Sequence, residues 1–264
     1  MSKAHADKIK RKRGIYLLPN LFTTAALFAG FYAIVAAMQD RFEAAAVAIF
    51  IAMVLDGLDG RVARLTNTQS EFGAEYDSLS DLASFGIAPA LVIYQWALSG
   101  MGKLGWLAAF IYTASAALRL ARFNTQVGIA DKRYFQGLAS PAAAAIISGM
   151  VWVGESYSLS GKAVNVAALL TTVCVGLLMV SNIRYHSFKG FDLKGKVPFV
   201  AIMVFVLVLV LVTYDPPVVL FSFFFLYVLS GPILTLFYLR KRRLERKQER
   251  KPDAPADNHK NESG

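Results

Sequence analysis

Eight apolar runs take up most of this 264-residue chain, at about 15–38, 42–64, 79–99, 104–122, 139–155, 162–181, 197–213 and 216–239. Several reach the roughly 20 residues a helix needs to cross a hydrocarbon core, while the fifth and seventh are shorter. The composition agrees, with 56% of residues hydrophobic and 17% charged. The fold class this implies is all-α, a polytopic membrane helix bundle of about eight transmembrane helices.

Lysine and arginine set the expected orientation. With eight spans both termini lie on one side, and that side collects 25 of the 28 Lys and Arg residues. They fall in the N-terminal tail, at Arg61 and Arg64, over 119–133, over 184–196 and in the C-terminal tail, which leaves only Arg41, Lys103 and Lys162 opposite. Both termini are therefore expected in the cytoplasm. The net charge of +10 reads as topology and attraction to anionic headgroups. No nucleic acid is expected as a partner, because the basic residues are divided among tails and loops. Cys174 is the single cysteine, which excludes an intrachain disulfide. The first 14 residues are too charged, and the run after them too long, for a cleaved signal peptide. The expected organisation is a basic cytoplasmic arm over 1–14, a membrane domain over 15–239, and a basic, then disordered, cytoplasmic tail over 240–264.

One stretch breaks the apolar pattern. Leu55-Asp56-Gly57-Leu58-Asp59-Gly60-Arg61-Val62-Ala63-Arg64 closes the second run, and Gly73-Ala74-Glu75-Tyr76-Asp77-Ser78-Leu79-Ser80-Asp81 leads into the third. Asp56 and Asp59 are three apart, and Asp77 and Asp81 four apart, so on helices each pair shares a face. A charged group on a membrane helix costs roughly 2.5–3.5 kcal/mol at the bilayer centre and less near the interface. Aspartates facing one way with no lysine at matching spacing call for a cation. Carboxylate-only ligands suit hard divalent ions such as Mg2+ or Mn2+ rather than zinc. The metal ligands read from this pattern are Asp56, Asp59, Asp77 and Asp81, enough for two ions bridging a diphosphate. Gly60 leaves room for a nucleotide to approach the backbone, and Arg64, one turn on, can reach a phosphate. Thr68 and Glu71 have capping-box spacing for the next helix.

The order Asp-x-x-Asp-Gly-x-x-Ala-Arg, eight residues, Gly-x-x-x-Asp-x-x-x-Asp resembles the signature of the CDP-alcohol phosphotransferase family. Every fixed position is met, by Asp56, Asp59, Gly60, Ala63, Arg64, Gly73, Asp77 and Asp81. The family also carries a Pro-Asn-x-x-Thr element, matched here by Pro19, Asn20 and Thr23. From the residues alone, Asn20 and Thr23 either cap or bond a neighbouring helix or line a polar pocket. The resemblance implies contacts to a CDP-linked lipid from Asn20, Thr23, Gly60, Ala63, Arg64, Ser70 and Gly73, and a homodimer. It also implies attack of an alcohol on the β-phosphorus with loss of CMP, Asp81 serving as general base.

Two further segments, Arg119-Leu120-Ala121-Arg122-Phe123-Asn124 and Asn182-Ile183-Arg184-Tyr185-His186-Ser187-Phe188-Lys189, are similar to the phosphatidylserine synthase branch of that family. This implies CDP-diacylglycerol and L-serine as substrates and a bacterial-type inner-membrane location. Arg119 and Arg122 share a helix face, where the choice lies between an interfacial anchor and an anion site. The acceptor pocket is accordingly placed at Arg119, Arg122, Asn124, Arg184 and Lys189. A glycerol-phosphate acceptor is the alternative within the family. An ion transporter is the alternative outside it, but transporters place acids near the midplane of repeated halves, and no second copy of the acidic stretch exists here.

Overall fold

A computed structural model describes residues 3–66, 68–126, 134–186 and 199–249. The chain is helical through α1 (Lys3–Met38), α2 (Phe42–Thr66), α3 (Glu71–Asp81), α4 (Ala88–Ile93), α5 (Lys103–Gln126), α6 (Ser140–Ser156), α7 (Asn165–Val180), α8 (Phe199–Tyr214) and α9 (Pro216–Glu249). Two π-helical stretches, Leu82–Ile87 and Tyr94–Leu98, join α3 to α4 and extend α4, so that Glu71–Met101 forms one long span. Among the described residues the departure from helix is a short antiparallel ribbon, β1 (Tyr134–Gln136) with β2 (Arg184–His186), in which Phe135 faces Tyr185.

Among the described residues five helical segments are long and apolar enough to cross a membrane: Pro19–Met38, Glu71–Met101, Lys103–Thr125, Gly161–Val180 and Pro216–Thr235. The other three apolar runs are helical too. Of these, α6 has 17 residues and α8 has 16, while α2 carries Asp56 and Asp59. Helix α1 begins in the basic arm at Lys3 rather than at residue 15, and α9 continues past Leu239 into the basic tail as far as Glu249. Gly14 at the first boundary is carried within α1, and the Arg and Lys residues that follow Leu239 are good helix formers. The remainder of the expected tail, 250–264, lies outside the described residues.

Small residues let the helices approach. Ala29, Ala33, Ala36 and Ala37 of α1 are buried with Ala45, Ala46, Ala48, Ile49 and Ala52 of α2 in one core, as expected where packing rather than solvent exclusion joins helices in lipid. The turn between them is closed by Asp40 at φ 56°, with Arg41 N–H bonded to Ala36 O at 2.9 Å. Helix α6 lies at the centre, apolar and buried nearly all round (Ala142 to Gly149, then Val151), against α2, α4, α7 and α9.

Two helical prolines each leave a carbonyl without its usual partner, since proline has no N–H to give four residues back. For Pro89 that carbonyl is Phe85, which accepts from the Tyr112 hydroxyl at 2.9 Å. For Pro232 it is Val228, which accepts from the Tyr185 hydroxyl at 3.1 Å. Gly231 makes the second arrangement possible, because a side chain there would run into the Tyr185 ring. The sequence predicts a kink at Gly231-Pro232, and both residues lie inside α9.

Candidate active site

Helices α1, α2 and α3 converge on one acidic cluster. Asp56 and Asp59 come from the last turns of α2 and Asp77 from the middle of α3. One carboxylate oxygen from each of the three lies within 4.8 Å of the others. Asp59 is buried, accepting from the Thr23 hydroxyl of α1 at 2.7 Å. Oxygen Oδ1 of Asp77 is inaccessible to solvent and has no hydrogen-bond partner among the described residues. Asp81, one turn beyond Asp77, is outside this group of three and is hydrogen-bonded to Asp56.

The hairpin between α2 and α3 sets the geometry. The Thr68 N–H closes α2 on Ala63 O at 3.1 Å, and its hydroxyl bonds that of Thr66 at 2.7 Å. Helix α3 starts at Glu71, so its cap is Ser70, whose Oγ accepts from Gly73 N–H at 3.0 Å. This corrects the expected Thr68–Glu71 capping box: the helix begins too late for Thr68 to reach its first free N–H groups. Across the α1–α3 seam, Ser80 and Ser84 donate to Thr23 O and Ala26 O, each at 3.1 Å. Thr24 and Tyr76 share a hydrogen bond of 2.9 Å.

The residues expected to contact a CDP-linked lipid lie on α1, α2 and α3 and on the turn between the last two. Asn20 is half-buried, with its Oδ1 3.5 Å from where a Gly73 Cβ would stand. A Cβ on Gly60 would meet nothing within 4 Å, so open space borders the acids there. Ala63 is half-buried, while Arg64 and Ser70 are exposed.

The acceptor-side residues separate. Arg119 of α5 is half-buried and within electrostatic reach of Asp81, Tyr112, Tyr227 and Arg122. Its Nη1 donates to Ser140 Oγ at 2.8 Å, and its Nε is buried with no hydrogen-bond partner among the described residues. Arg122 is engaged with backbone, donating to Gln136 O at 3.0 Å, Val180 O at 3.3 Å and Ser181 O at 3.4 Å. Asn124 exchanges hydrogen bonds with Ser78, the neighbour of Asp77. Arg184 is the β2 residue opposite Gln136, and Lys189 lies outside the described residues. Ser78, Ser80, Ser84, Ser140 and Tyr227 did not stand out in the sequence. The four-residue spacing of Ser80 and Ser84 was the available sign that they share a face.

The donor set fits a hard divalent cation. Three carboxylates on two neighbouring helices present closely spaced oxygens, one of them otherwise unpartnered, and among the described residues neither His nor Cys joins them. The chain matches the family model for CDP-alcohol phosphatidyltransferase over residues 16–178, which include every residue of the cluster. The chain belongs to that family.

Similarity to individual members of the CDP-alcohol phosphatidyltransferase family extends beyond the acidic helices. A CDP-diacylglycerol–serine O-phosphatidyltransferase of Helicobacter pylori is 39% identical over 227 residues, 86% of this chain and 94% of the relative. One of Mycobacterium tuberculosis is 40% identical over 166 residues, 58% of this chain and 57% of the relative. An archaetidylserine synthase of Methanothermobacter thermautotrophicus is 33% identical over 183 residues, 69% and 74% respectively. The first of these matches is long enough to take in segments on both sides of the acidic hairpin.

Proposed function

We propose that the protein is an integral-membrane enzyme that transfers the phosphatidyl group of CDP-diacylglycerol to the hydroxyl of L-serine, giving phosphatidylserine and CMP. The observation that carries this reading is a cationic side chain, Arg119, set against an acidic metal-type cluster through Asp81. A diphosphate substrate needs the cluster, and an acceptor bearing a carboxylate needs the cation. The names of the relatives described above point to the same acceptor.

In this reading Asp56, Asp59, Asp77 and Asp81 would hold two divalent cations. The chemistry supplied by bound Mg2+ or Mn2+ is neutralisation of the diphosphate and stabilisation of the leaving oxygen. The chain's own residues do the rest. Asn20, Thr23, Gly60, Ala63, Arg64, Ser70 and Gly73 hold the nucleotide end of the lipid in the open space beside Gly60. Asp81 takes the proton from the serine hydroxyl as its oxygen forms a bond to the β-phosphorus, and the bond from that phosphorus to the CMP oxygen breaks. Arg119 and Asn124 hold the amino-acid end of the acceptor.

Eight membrane spans, cytoplasmic termini and a cytoplasm-facing site in a bacterial-type inner membrane complete the proposal, supported by the 25 of 28 basic residues that an eight-span path would place on one side. A homodimer is part of the same family-based reading. The test is CMP release from CDP-diacylglycerol by purified protein in Mg2+ or Mn2+, with L-serine and glycerol 3-phosphate offered separately. Release that requires serine is the expected outcome. Release with glycerol 3-phosphate alone would keep the cluster and replace the acceptor, and no release with any alcohol would overturn the enzyme reading.

A further inference from the structure

The two arginines of α5 share a face and a sequence neighbourhood, yet their surroundings assign them different work. A guanidinium has five N–H donors in a flat fork and recognises a carboxylate best when two parallel donors are available. Both terminal nitrogens of Arg122 are already occupied by main-chain oxygens from two separate segments. The Asn182 Oδ1 adds a further contact at 3.5 Å. Arg119 has one protein acceptor, Ser140, and keeps Nε unsatisfied among the described residues, on the side chain that reaches Asp81 electrostatically.

The oxygens that Arg122 gathers belong to a crossing of two chain segments. Gln136 ends β1, while Val180 and Ser181 lead from α7 towards β2. Gly137 stands between them at φ 80°, donating to Ile183 O at 2.8 Å, with the Met179 carbonyl and Arg122 Nη2 where a side chain would project. From this crossing the ribbon carries Tyr185 into α9. There its hydroxyl reaches Val228 O, and its ring lies 5.6 Å from that of Tyr227. Tyr227 is in turn within electrostatic reach of Arg119. Contacts thus run from Arg122 through the ribbon to the two tyrosines, and an electrostatic interaction links Tyr227 to the arginine beside Asp81.

We propose that Arg122 is a positioning residue, a strut that fixes the β1–β2 ribbon and through it the Tyr185–Tyr227 wall of the acceptor pocket, while Arg119 alone of the pair binds the acceptor's anionic group. The inference rests on the proposed transfer reaction and divides the labour within its acceptor side. It separates two residues that the sequence treats alike.

The test uses full-length protein in mixed micelles with CDP-diacylglycerol, comparing Arg119→Lys, Arg122→Lys and Arg122→Gln for acceptor KM, kcat and thermal stability. Arg119→Lys keeps the charge but loses the fork, so acceptor KM rises at least about tenfold while KM for the CDP-lipid stays put. Arg122→Gln lowers stability and kcat with acceptor KM within about twofold of wild type, and Arg122→Lys, which can still donate to carbonyls, recovers part of both. If Arg122→Gln yields no folded protein, Arg122→Lys with unchanged acceptor KM supports the strut. A rise of about tenfold in acceptor KM for either Arg122 variant at wild-type stability overturns it. Should glycerol 3-phosphate prove the working acceptor, the serine reading fails separately, and the same comparison is made on that acceptor's KM.

Discussion

Tyr112 and Tyr185 do the same work in different parts of the bundle: each donates its hydroxyl to the carbonyl four residues ahead of a helical proline, at 2.9 and 3.1 Å. Both side chains are fully buried, and each comes from an element other than the helix it repairs. In lipid a freed carbonyl has no water to turn to, so a neighbour has to supply the donor. Tyr185→Phe keeps the ring and removes only that donor. It should cost about 1–3 kcal/mol, read as a lower midpoint in thermal unfolding of the detergent-solubilised protein.

The same side chain gives a pH signature. Burial, then the neighbouring Tyr227, pushes the Tyr185 phenol up from 10.0 to about 12. As pH rises the unfolded chain loses this proton first, so the unfolded state is favoured progressively. The contribution is intact below about pH 10 and is lost on the way to about pH 12. Stability measured across that window should fall less steeply in Tyr185→Phe than in wild type. Equal slopes would show that the phenol titrates normally.

Asp81→Asn should abolish CMP release, by about 10²–10⁴-fold, while leaving a folded protein. Chelation should silence the wild-type enzyme, with Mg2+ or Mn2+ restoring it and Zn2+ failing to, because the donors are carboxylates alone. Activity that survived both treatments would remove the cluster from the reaction.

The Thr23 hydroxyl donates to Asp59 of the cluster at 2.7 Å. Thr23→Val should therefore raise the Mn2+ concentration needed for half-maximal activity by about 10–100-fold, as loss of a partner behind a metal ligand does. The maximal rate at saturating metal should recover most of its wild-type value.

Gly60 and Gly30 separate substrate space from packing. A Cβ at Gly60 meets nothing within 4 Å, so Gly60→Val should leave thermal stability near wild type and raise KM for CDP-diacylglycerol. A Cβ at Gly30 would lie 2.5 Å from Ser84 Oγ and 2.7 Å from Ser84 Cα. Gly30→Ala must therefore push α1 away from the π-helical turn, and its loss should register first in unfolding, by about 1–3 kcal/mol.

The acidic hairpin was legible because its chemistry leaves local traces. Aspartates at helical spacing between apolar runs, with glycines beside them, point to little except a cation site. The bundle was legible from the apolar runs, each of which is helical in the structure. What the sequence concealed is set by contacts between distant segments. Tyr134–Gln136 carries no strand pattern of its own and becomes β1 only because it meets the far-off segment Arg184–His186. Arg119 and Arg122 look equivalent in one helix and differ only in what other segments bring to them. Ser80 and Ser84 read as ordinary polar residues until α1 supplies the carbonyls they bind.

Helix α6 is short, alanine-rich and enclosed by α2, α4, α7 and α9. Seventeen residues at 1.5 Å each give about 25 Å, less than the roughly 30 Å of a hydrocarbon core. Alanine contributes little to partitioning out of water, so this segment gains less from entering the bilayer than its neighbours do. Its final position is instead secured by partners that arrive both before and after it in the order of synthesis. Assembly of the protein should therefore pass through a stage in which α6 is threaded but loosely held, until α9, made after it, closes over it.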